Sequence, residues 1–312
     1  MRNISLRQFR AVAAIRKHGK IVSAAAELGL TPPAVTLQLK QIEASTGLTL
    51  FDRTPDGMRP TTAGLAVLDA AQAIEERLRA LADEIDAIKG VRRGSLRLGV
   101  VSTAKYFAPR LMAAFIAEFP DIEMKLAVGN RAETIERLQD HDIDIALMGR
   151  PPPHVPVRAV VFGDHPLVII AAPDHPMVHR RDIAKEEIAR ESFLMREQGS
   201  GTRISMEIFM RELSGWLERP AIEMDSNETI KQSVMAGLGI AFISAHTIEA
   251  ELEAGRLALL DVVGMPIRRQ WFAVTRSDRG MTPAMVAFEG FLMRKGAIHL
   301  PLFGKLYPDL SS

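Results

Sequence analysis

None of the 312 residues is cysteine, which excludes a disulfide framework, a thiolate metal site and a thiol nucleophile. Long apolar runs are also missing. No segment approaches about 18 uninterrupted apolar residues, and MRNISLRQFRAV at the start has no apolar core, so neither a membrane span nor a secretory signal is expected. A soluble, cytoplasmic protein without membrane contact follows as the expectation. GSGT at 199–202 lacks the lysine and spacing of a phosphate-binding loop, so nucleotide hydrolysis is not read from it. His165, His175 and His179 have no further soft ligand nearby, and the His-Pro pairs at 165 and 175 read as loop turns, so no metal is expected. Asp142 and Asp144 stand at a strand start with no adjacent nucleophile or base; solvation and strand-end hydrogen bonds are their default. From 91 to 312 no catalytic constellation is found, and an enzyme is not expected.

At 47% hydrophobic content the chain can bury about two domain cores. The net charge of +1 hides an asymmetry: residues 1–60 hold nine Lys or Arg against four Asp or Glu, hence +5, which leaves −4 for the remainder. That basic part contains the most distinctive stretch, Lys20 to Gly47, KIVSAAAELGLTPPAVTLQLKQIEASTG. Ala24 to Leu28 favour a short helix, and Gly29 supplies a turn position where positive φ is cheap. Thr31 is placed to cap the next helix through its hydroxyl, with Pro32 and Pro33 at its first positions, where a missing N–H leaves nothing unpaired. Val35, Leu39 and Ile42 then share one face. Thr36, Leu37, Gln38 and Lys40 face outward on a projecting helix about 10–12 Å wide, which matches the DNA major groove.

Ahead of this pair, Leu6, Phe9, Val12, Ala13 and Arg16 predict an amphipathic helix ending near Gly19. Behind it, LTLFDRTPDGMRPTTAG reads as a hairpin with Pro55, Asp56 and Gly57 at its tip. Arg53 and Arg59 flank that tip, both placed to meet a phosphate backbone or a minor groove. From Thr61 to Gly90, Val67, Ala71, Ile74, Leu78, Leu81, Ile85 and Ile88 alternate spacings of four and three, a heptad seam with Glu76, Arg79, Asp83, Glu84 and Asp86 among the charges on the other faces. About 28 residues at 1.5 Å each give a rod of roughly 42 Å, too long for its own small domain to cover. A second copy of the chain is the expected partner, and a two-fold dimer suits a palindromic site.

KGVRRG at 89–94 reads as a basic linker, after which strands alternate with helices. SLRLGVVS, IEMKLAVG and DIDIALMG with two helices between them form a β-α-β-α-β lobe. PLVIIAAP, FLMRE, AIEMD and GIAFIS with their helices form a second lobe, and QWFAVT returns to the first. Two crossings make a cleft. In such sheets ligands sit beyond the carboxyl ends of strands, beside helix N-termini. Ser102, Thr103 and Lys105 follow one strand; Ser200, Gly201, Thr202 and Arg203 another; Asn227 and Glu228 a third; Asn130 and Arg150 close two more. Each is a common helix-capping type taken singly; together they suit a small anion, and three cations close in sequence favour a phosphorylated one.

The order of reading head, wing, long helix and two-lobed α/β domain resembles that of the LysR-type transcriptional regulators over nearly the whole chain. LRQFRAVAAIRKHGKIVSAAAELGLTPPAVTLQLKQIEASTGLTLFDR is similar to that family's N-terminal signature, including AA-x-LG-L, PAV, Glu43 and LF-x-R at Leu50 to Arg53. STAKYFAPRLMAAF, VGNR, MGRPP, FGDHPLVIIAAP, REQGSGTR, NETIKQSVMAGLGIAFIS and QWF resemble the CbbR group within it, which controls Calvin-cycle operons. The resemblance implies a winged helix-turn-helix DNA-binding domain at 1–60 and a linker or dimerisation helix at 61–90. It further implies a periplasmic-binding-protein-like effector domain at 91–312, with one lobe near 91–162 and 268–312 and the other near 163–267. It implies double-stranded promoter DNA, RNA polymerase and a small anionic metabolite as partners, with a dimer of dimers as the assembly. No resident cofactor is implied; the effector expected is a sugar phosphate or an NADPH-like nucleotide. The DNA-facing set is Thr31, Pro33, Ala34, Thr36, Leu37, Gln38, Lys40, Arg53 and Arg59. Family heads commonly carry a Gln-like residue and an Arg where this chain has Pro32 and Leu37, which shifts base readout towards Thr36 and Gln38.

Three other readings stand beside this one. A regulator of another metabolic operon would take a non-phosphorylated carboxylate. A solute-binding protein would share the lobes but needs a secretion signal and no basic head, and a DNA-binding enzyme needs the catalytic constellation that is missing from 91 to 312.

Overall fold

The computed structural model describes residues 4–88, 94–213, 216 and 222–301. The linker at 89–93 and the end of the expected first lobe, 302–312, lie outside the described residues. The chain forms two compact units, Met1–Ile85 and Asp86–Ser312, and the boundary falls inside the long helix.

In the first unit α1 (Leu6–His18), α2 (Ile21–Leu28) and α3 (Pro32–Thr46) are followed by a hairpin of β1 (Phe51–Thr54) and β2 (Gly57–Pro60) and by α4 (Thr62–Ile88). Ser5 and Gln8 form a capping box that starts α1, satisfying two end donors at once. α1 buries Gln8, Ala11, Val12, Ala14 and Ile15; of the expected stripe Val12 is buried and Phe9 half-buried, whereas Leu6, Ala13 and Arg16 are exposed. The run Ala11 to Ile15 is apolar all round, so its period does not choose a face; packing against the small Ala24 and Ala25 of α2 does. Thr31 is the N-cap residue of α3, yet its hydroxyl makes no cap bond. With proline at the first two helical positions, few free N–H groups remain for a cap to satisfy. The hairpin tip is fixed to the end of α1 by Met58 N–H donating to Gly19 O at 2.7 Å. Gly57 has φ +128°, and a Cβ there would lie 2.4 Å from Gly19 O, so only glycine allows this approach.

On α4, Ala71 is buried and Val67 and Ile74 are half-buried. Leu78, Leu81 and Ile85 remain exposed at 38%, 44% and 40%. An ion pair from Arg10 to Glu75, 2.5 Å, ties α4 to α1. The side chains of Ile88 and of Glu76, Arg79, Asp83, Glu84 and Asp86 lie outside the described residues.

The second unit opens with β3 (Gly94–Val101), α5 (Ala108–Glu118), β4 (Ile122–Gly129), α6 (Arg131–Gln139) and β5 (Ile145–Met148). β3 lies parallel between β4 and β5. Next come β6 (Val157–Ala171), α7 (Lys185–Ile188), β7 (Phe193–Arg196), α8 (Gly201–Met210), β8 (Ile222–Met224), α9 (Asn227–Met235), β9 (Ile240–Ser244), α10 (Glu249–Glu253), β10 (Ala258–Leu259), β11 (Ile267–Arg276) and α11 (Pro283–Phe291). The described strands run β4-β3-β5-β11-β6-β9-β7-β8 in one sheet, with β10 beside β6. One core gathers Leu96, Leu98, Phe107, Phe115, Trp271 and Phe288; beyond the crossing, Leu167, Ile169, Phe242 and Val262 belong to a second core and Val168, Ile170 and Ile243 to a third.

The two crossings are β6 and β11, which pair antiparallel from Ile267↔Leu167 to Arg276↔Val157 with a bulge at Trp271/Phe272. This corrects the expected turn at His165-Pro166. The pair sits inside the fifteen-residue strand β6, where His165 exchanges solvent for stacking on Trp271, the ring centroids 4.0 Å apart. Asp144 accepts from the Arg97 backbone and guanidinium at 2.8 and 2.6 Å, closing β5 against β3. No helix among the described residues is long and apolar enough to cross a membrane.

Candidate DNA-reading face and effector cleft

α3 buries Val35, Leu39 and Ile42, and the opposite side carries the reading set. Thr31, Pro33, Leu37 and Lys40 are exposed, and Ala34, Thr36 and Gln38 half-buried. Thr36 donates its hydroxyl to Pro32 O of its own helix at 2.9 Å, which leaves its oxygen as an acceptor. The Glu43 carboxylate accepts Leu50 N–H at 2.8 Å, fixing the end of α3 to the segment that enters the wing. In the wing, Arg59 pairs across with Asp52 and Arg53 with Met58. Successive strand residues point to opposite faces, so the two arginines project from opposite faces of the ribbon. Both are expected to meet a phosphate backbone or a minor groove, and this register gives each its own face from which to do so.

In the second unit a cleft opens where β3, β5 and the crossing strands β6 and β11 meet the first turns of α6 and α8. It encloses about 650 Å³ of space, open solvent at its mouth included. Ser102, Thr103 and Arg150 line one side, Ser200, Gly201 and Thr202 the other, and Arg131, His165 and Arg269 complete it. Three arginines line this space, Arg131 donating from Nη2 to Arg150 O at 3.4 Å and to Pro151 O at 3.5 Å, and no carboxylate is among the lining residues. Arg131 Nε, Arg269 Nε and His165 Nδ1 are buried with no hydrogen-bond partner. Burial, and then the charge of Arg150, lower the Arg131 pKa; burial followed by His246 and Arg269 holds the His165 ring well below the usual histidine range. Two helix N-termini add their dipoles: Asn130 caps α6 by accepting Glu133 N–H at 3.0 Å, and Ser200 caps α8 by accepting Arg203 N–H at 3.5 Å. Unpaired buried donors, cations and positive helix ends together select an anion.

The lobes are bonded to each other around this space. Ala132 N–H donates to Gly199 O at 3.2 Å, and Arg196 Nη2 donates to Ser102 Oγ at 3.2 Å. Lys105 Nζ meets Glu228 Oε2 at 2.7 Å, and the Tyr106 hydroxyl donates to the same carboxylate. Burial alone would raise the Glu228 carboxyl; the hydrogen bonds from Lys105 and Tyr106 bring it down to about 2.

The sequence matches the bacterial regulatory helix-turn-helix protein, lysR family, over residues 6–65 and the LysR substrate binding domain over residues 89–297. The chain belongs to the LysR family. It is 60% identical to the HTH-type transcriptional regulator CbbR of Sinorhizobium medicae over 99% of this chain and 98% of that one. It is 45% identical to the RuBisCO operon transcriptional regulator of Allochromatium vinosum over 95% and 97%. The regulatory domain of Synechocystis CcmR, solved in complex with 2-PG, matches with a TM-score of 0.61 and 35% identity, over 65% of this chain and 97% of that domain. Full-length CbnR complexed with its target DNA shares the fold, with a TM-score of 0.63 at 21% identity over 93% and 99%. This protein is a LysR-type transcriptional regulator with an effector-binding domain.

Of the residues expected to bind the effector of this LysR-type chain, Ser102, Thr103, Arg150, Ser200, Gly201 and Thr202 converge on the cleft. Asn130 stands at its edge as the cap of α6. Lys105 and Glu228 are bound to each other, and Asn227, buried, accepts from Arg196. Arg203 is a correction: its guanidinium binds Glu207 at 2.9 Å, Glu223, and Arg196 O at 3.1 Å, outside the cleft lining. Its backbone turn, not its charge, serves the site. Sequence reasoning passed over Arg131, His165 and Arg269. Arg131 was legible as the first residue of a helix after a strand end; the other two meet only through the β6–β11 register, where Arg269 lies opposite His165.

Proposed function

We propose that this regulator binds a small phosphorylated metabolite in the cleft and couples its lobe closure to control of a carbon-fixation operon, in the cytoplasm. One observation carries the effector class: three arginines and two helix starts surround a cleft lined without a carboxylate. The 2-PG complex of the CcmR regulatory domain supports the same chemistry, and the CbbR and RuBisCO-operon relatives support the target. Promoter DNA meets the solvent side of α3, and the exposed stripe of α4 joins two copies as the unit from which a tetramer assembles. A ligand moves the lobes only through its different affinity for their states.

Calorimetric titration of the full chain with 2-PG, sugar phosphates and a nicotinamide nucleotide tests the reading. Arg269→Ala is expected to weaken binding roughly ten- to hundredfold, the loss of one charged contact of about 1.5–3 kcal/mol. Arg203→Ala, whose guanidinium is committed to two carboxylates, should bind nearly as the parent does. Failure of every phosphorylated compound to bind below millimolar while a dicarboxylate binds would transfer the site to the carboxylate class. Parental affinity in Arg269→Ala would remove the anion cleft altogether.

A further inference from the structure

Resting on the anion-cleft reading above, we propose that His165 contacts the bound anion through Nδ1 and that its ring takes up a proton as the anion binds. His165 lines the cleft, and its Nδ1 has no polar partner within the protein. The ring is stacked on Trp271 at 4.0 Å and 19°, and Nε2 is hydrogen-bonded to Ser244 Oγ at 3.0 Å in a buried contact. Those two contacts fix the ring plane and leave Nδ1 as its free vertex, buried and without a partner. Residue 149 keeps the space before it open: a Cβ on Gly149 would lie 2.7 Å from Nδ1. Directly across the ladder is Arg269, whose own Nε is likewise unpartnered. Two buried, unpartnered nitrogens therefore belong to residues that face each other across adjacent strands in the cleft wall.

The charges around the ring decide its state. Arg269 faces it from β11, His246 from the turn after β9 with ring centroids 6.1 Å apart, and Arg131 and Arg150 line the same cleft from the first lobe. On α8 the nearest cation, Arg203, is turned away to Glu207 and Glu223. Asp164, the neighbour on β6, is exposed, and side chains alternate faces along a strand. His246 is uncharged at neutral pH, so the charges facing the ring are those of arginines, and no carboxylate lines the cleft to compensate them. An empty cleft thus keeps the imidazole neutral, in agreement with its lowered pKa. A dianion arriving among these groups reverses the local potential and favours the imidazolium, in which both ring nitrogens donate. Nδ1–H then binds the anion while Nε2–H holds Ser244.

Linkage gives the test, because a site that takes up one proton binds up to about tenfold more tightly per unit fall in pH. The full chain is titrated with 2-PG at pH 7, 7.5 and 8 in two buffers of different ionisation enthalpy, so that proton uptake is read from the difference in heat. Parent protein is expected to take up a sizeable fraction of one proton and to bind more tightly at pH 7 than at pH 8. His165→Asn retains an amide donor near the Nδ1 position and cannot titrate. It should bind with little pH dependence and no uptake. His165→Leu, which removes the donor, should lose at least tenfold at pH 7, with a thermal melt confirming that it is folded. Equal proton uptake in the parent and His165→Asn, or parental affinity in His165→Leu, overturns this inference and leaves the anion cleft standing. No binding of 2-PG or any sugar phosphate by the parent overturns both.

Discussion

Arg53 and Arg59 lie only six residues apart, yet the register of the wing, Arg53↔Met58 and Arg59↔Asp52, sends them to opposite faces of the ribbon. A two-stranded ribbon beside an occupied groove meets the DNA backbone along one face, so the two substitutions are not equivalent. One of Arg53→Ala and Arg59→Ala should weaken binding to all sequences alike and reduce the salt slope by about one unit, while the other leaves both nearly unchanged. Gln38→Ala, on the reading helix, should instead cost about 1–3 kcal/mol on the cognate site and relax base preference there. Footprint titrations at several salt concentrations separate these effects. Equal slopes for both arginine variants would mean that the ribbon does not approach DNA by one face.

Local signals carried the head of the molecule and failed where two distant strands had to be paired. Gly29, Pro32 and the Val35, Leu39, Ile42 spacing are statements about single turns and one helix face, and each has its counterpart in α2 and α3. The strand ends at Ser102 and Ser200 were likewise legible, because a strand followed by Ser, Thr or Gly and a helix predicts a free N-terminus. His165 was not. Its role depends on a ladder between residues about a hundred apart in sequence, and a His-Pro pair considered alone resembles a turn. Arg203 failed for the opposite reason: sequence places it at the right helix start, but Glu207 one turn on and Glu223 across the lobe claim its charge. Which of several arginines remains unpaired is settled by tertiary neighbours.

The exposed stripe on α4 gives the assembly prediction. Leu78, Leu81 and Ile85 continue the spacing that begins at Val67, and they stay open to solvent on the single chain. A narrow heptad seam of this kind is covered by an equivalent helix. Leu78→Asp would place two carboxylates against one another on a two-fold axis, a loss of several kcal/mol. Sedimentation should then show a lower mass than the parent, with the near-ultraviolet spectrum of the second unit unchanged. Parental mass for Leu78→Asp would assign the main interface elsewhere.

The last prediction concerns acid stability and rests on His246. Burial brings its pKa down to about 4, and its Nδ1 accepts Trp271 Nε1–H at 3.0 Å, a bond that protonation at Nδ1 would remove. In the unfolded chain the ring titrates near about 6.5. As pH falls through that value the unfolded state takes up a proton that the folded state refuses, so stability decreases; above about 6.5 neither state is charged and the effect vanishes. The window is therefore pH 6.5 down to about 4, and at pH 5 this one group should cost about 2 kcal/mol. His165, also held low by burial, adds a loss of the same sign. Both tryptophans of the chain, Trp216 and Trp271, belong to the second unit, so their fluorescence reports its unfolding without interference from the DNA-binding head. Urea midpoints followed this way should fall between pH 6.5 and 5 in the parent. His246→Asn, which keeps an acceptor for Trp271 but cannot titrate, should lose clearly less stability over that interval. Identical slopes in the two proteins would show that His246 titrates alike in the folded and unfolded states, so that burial does not hold its pKa down.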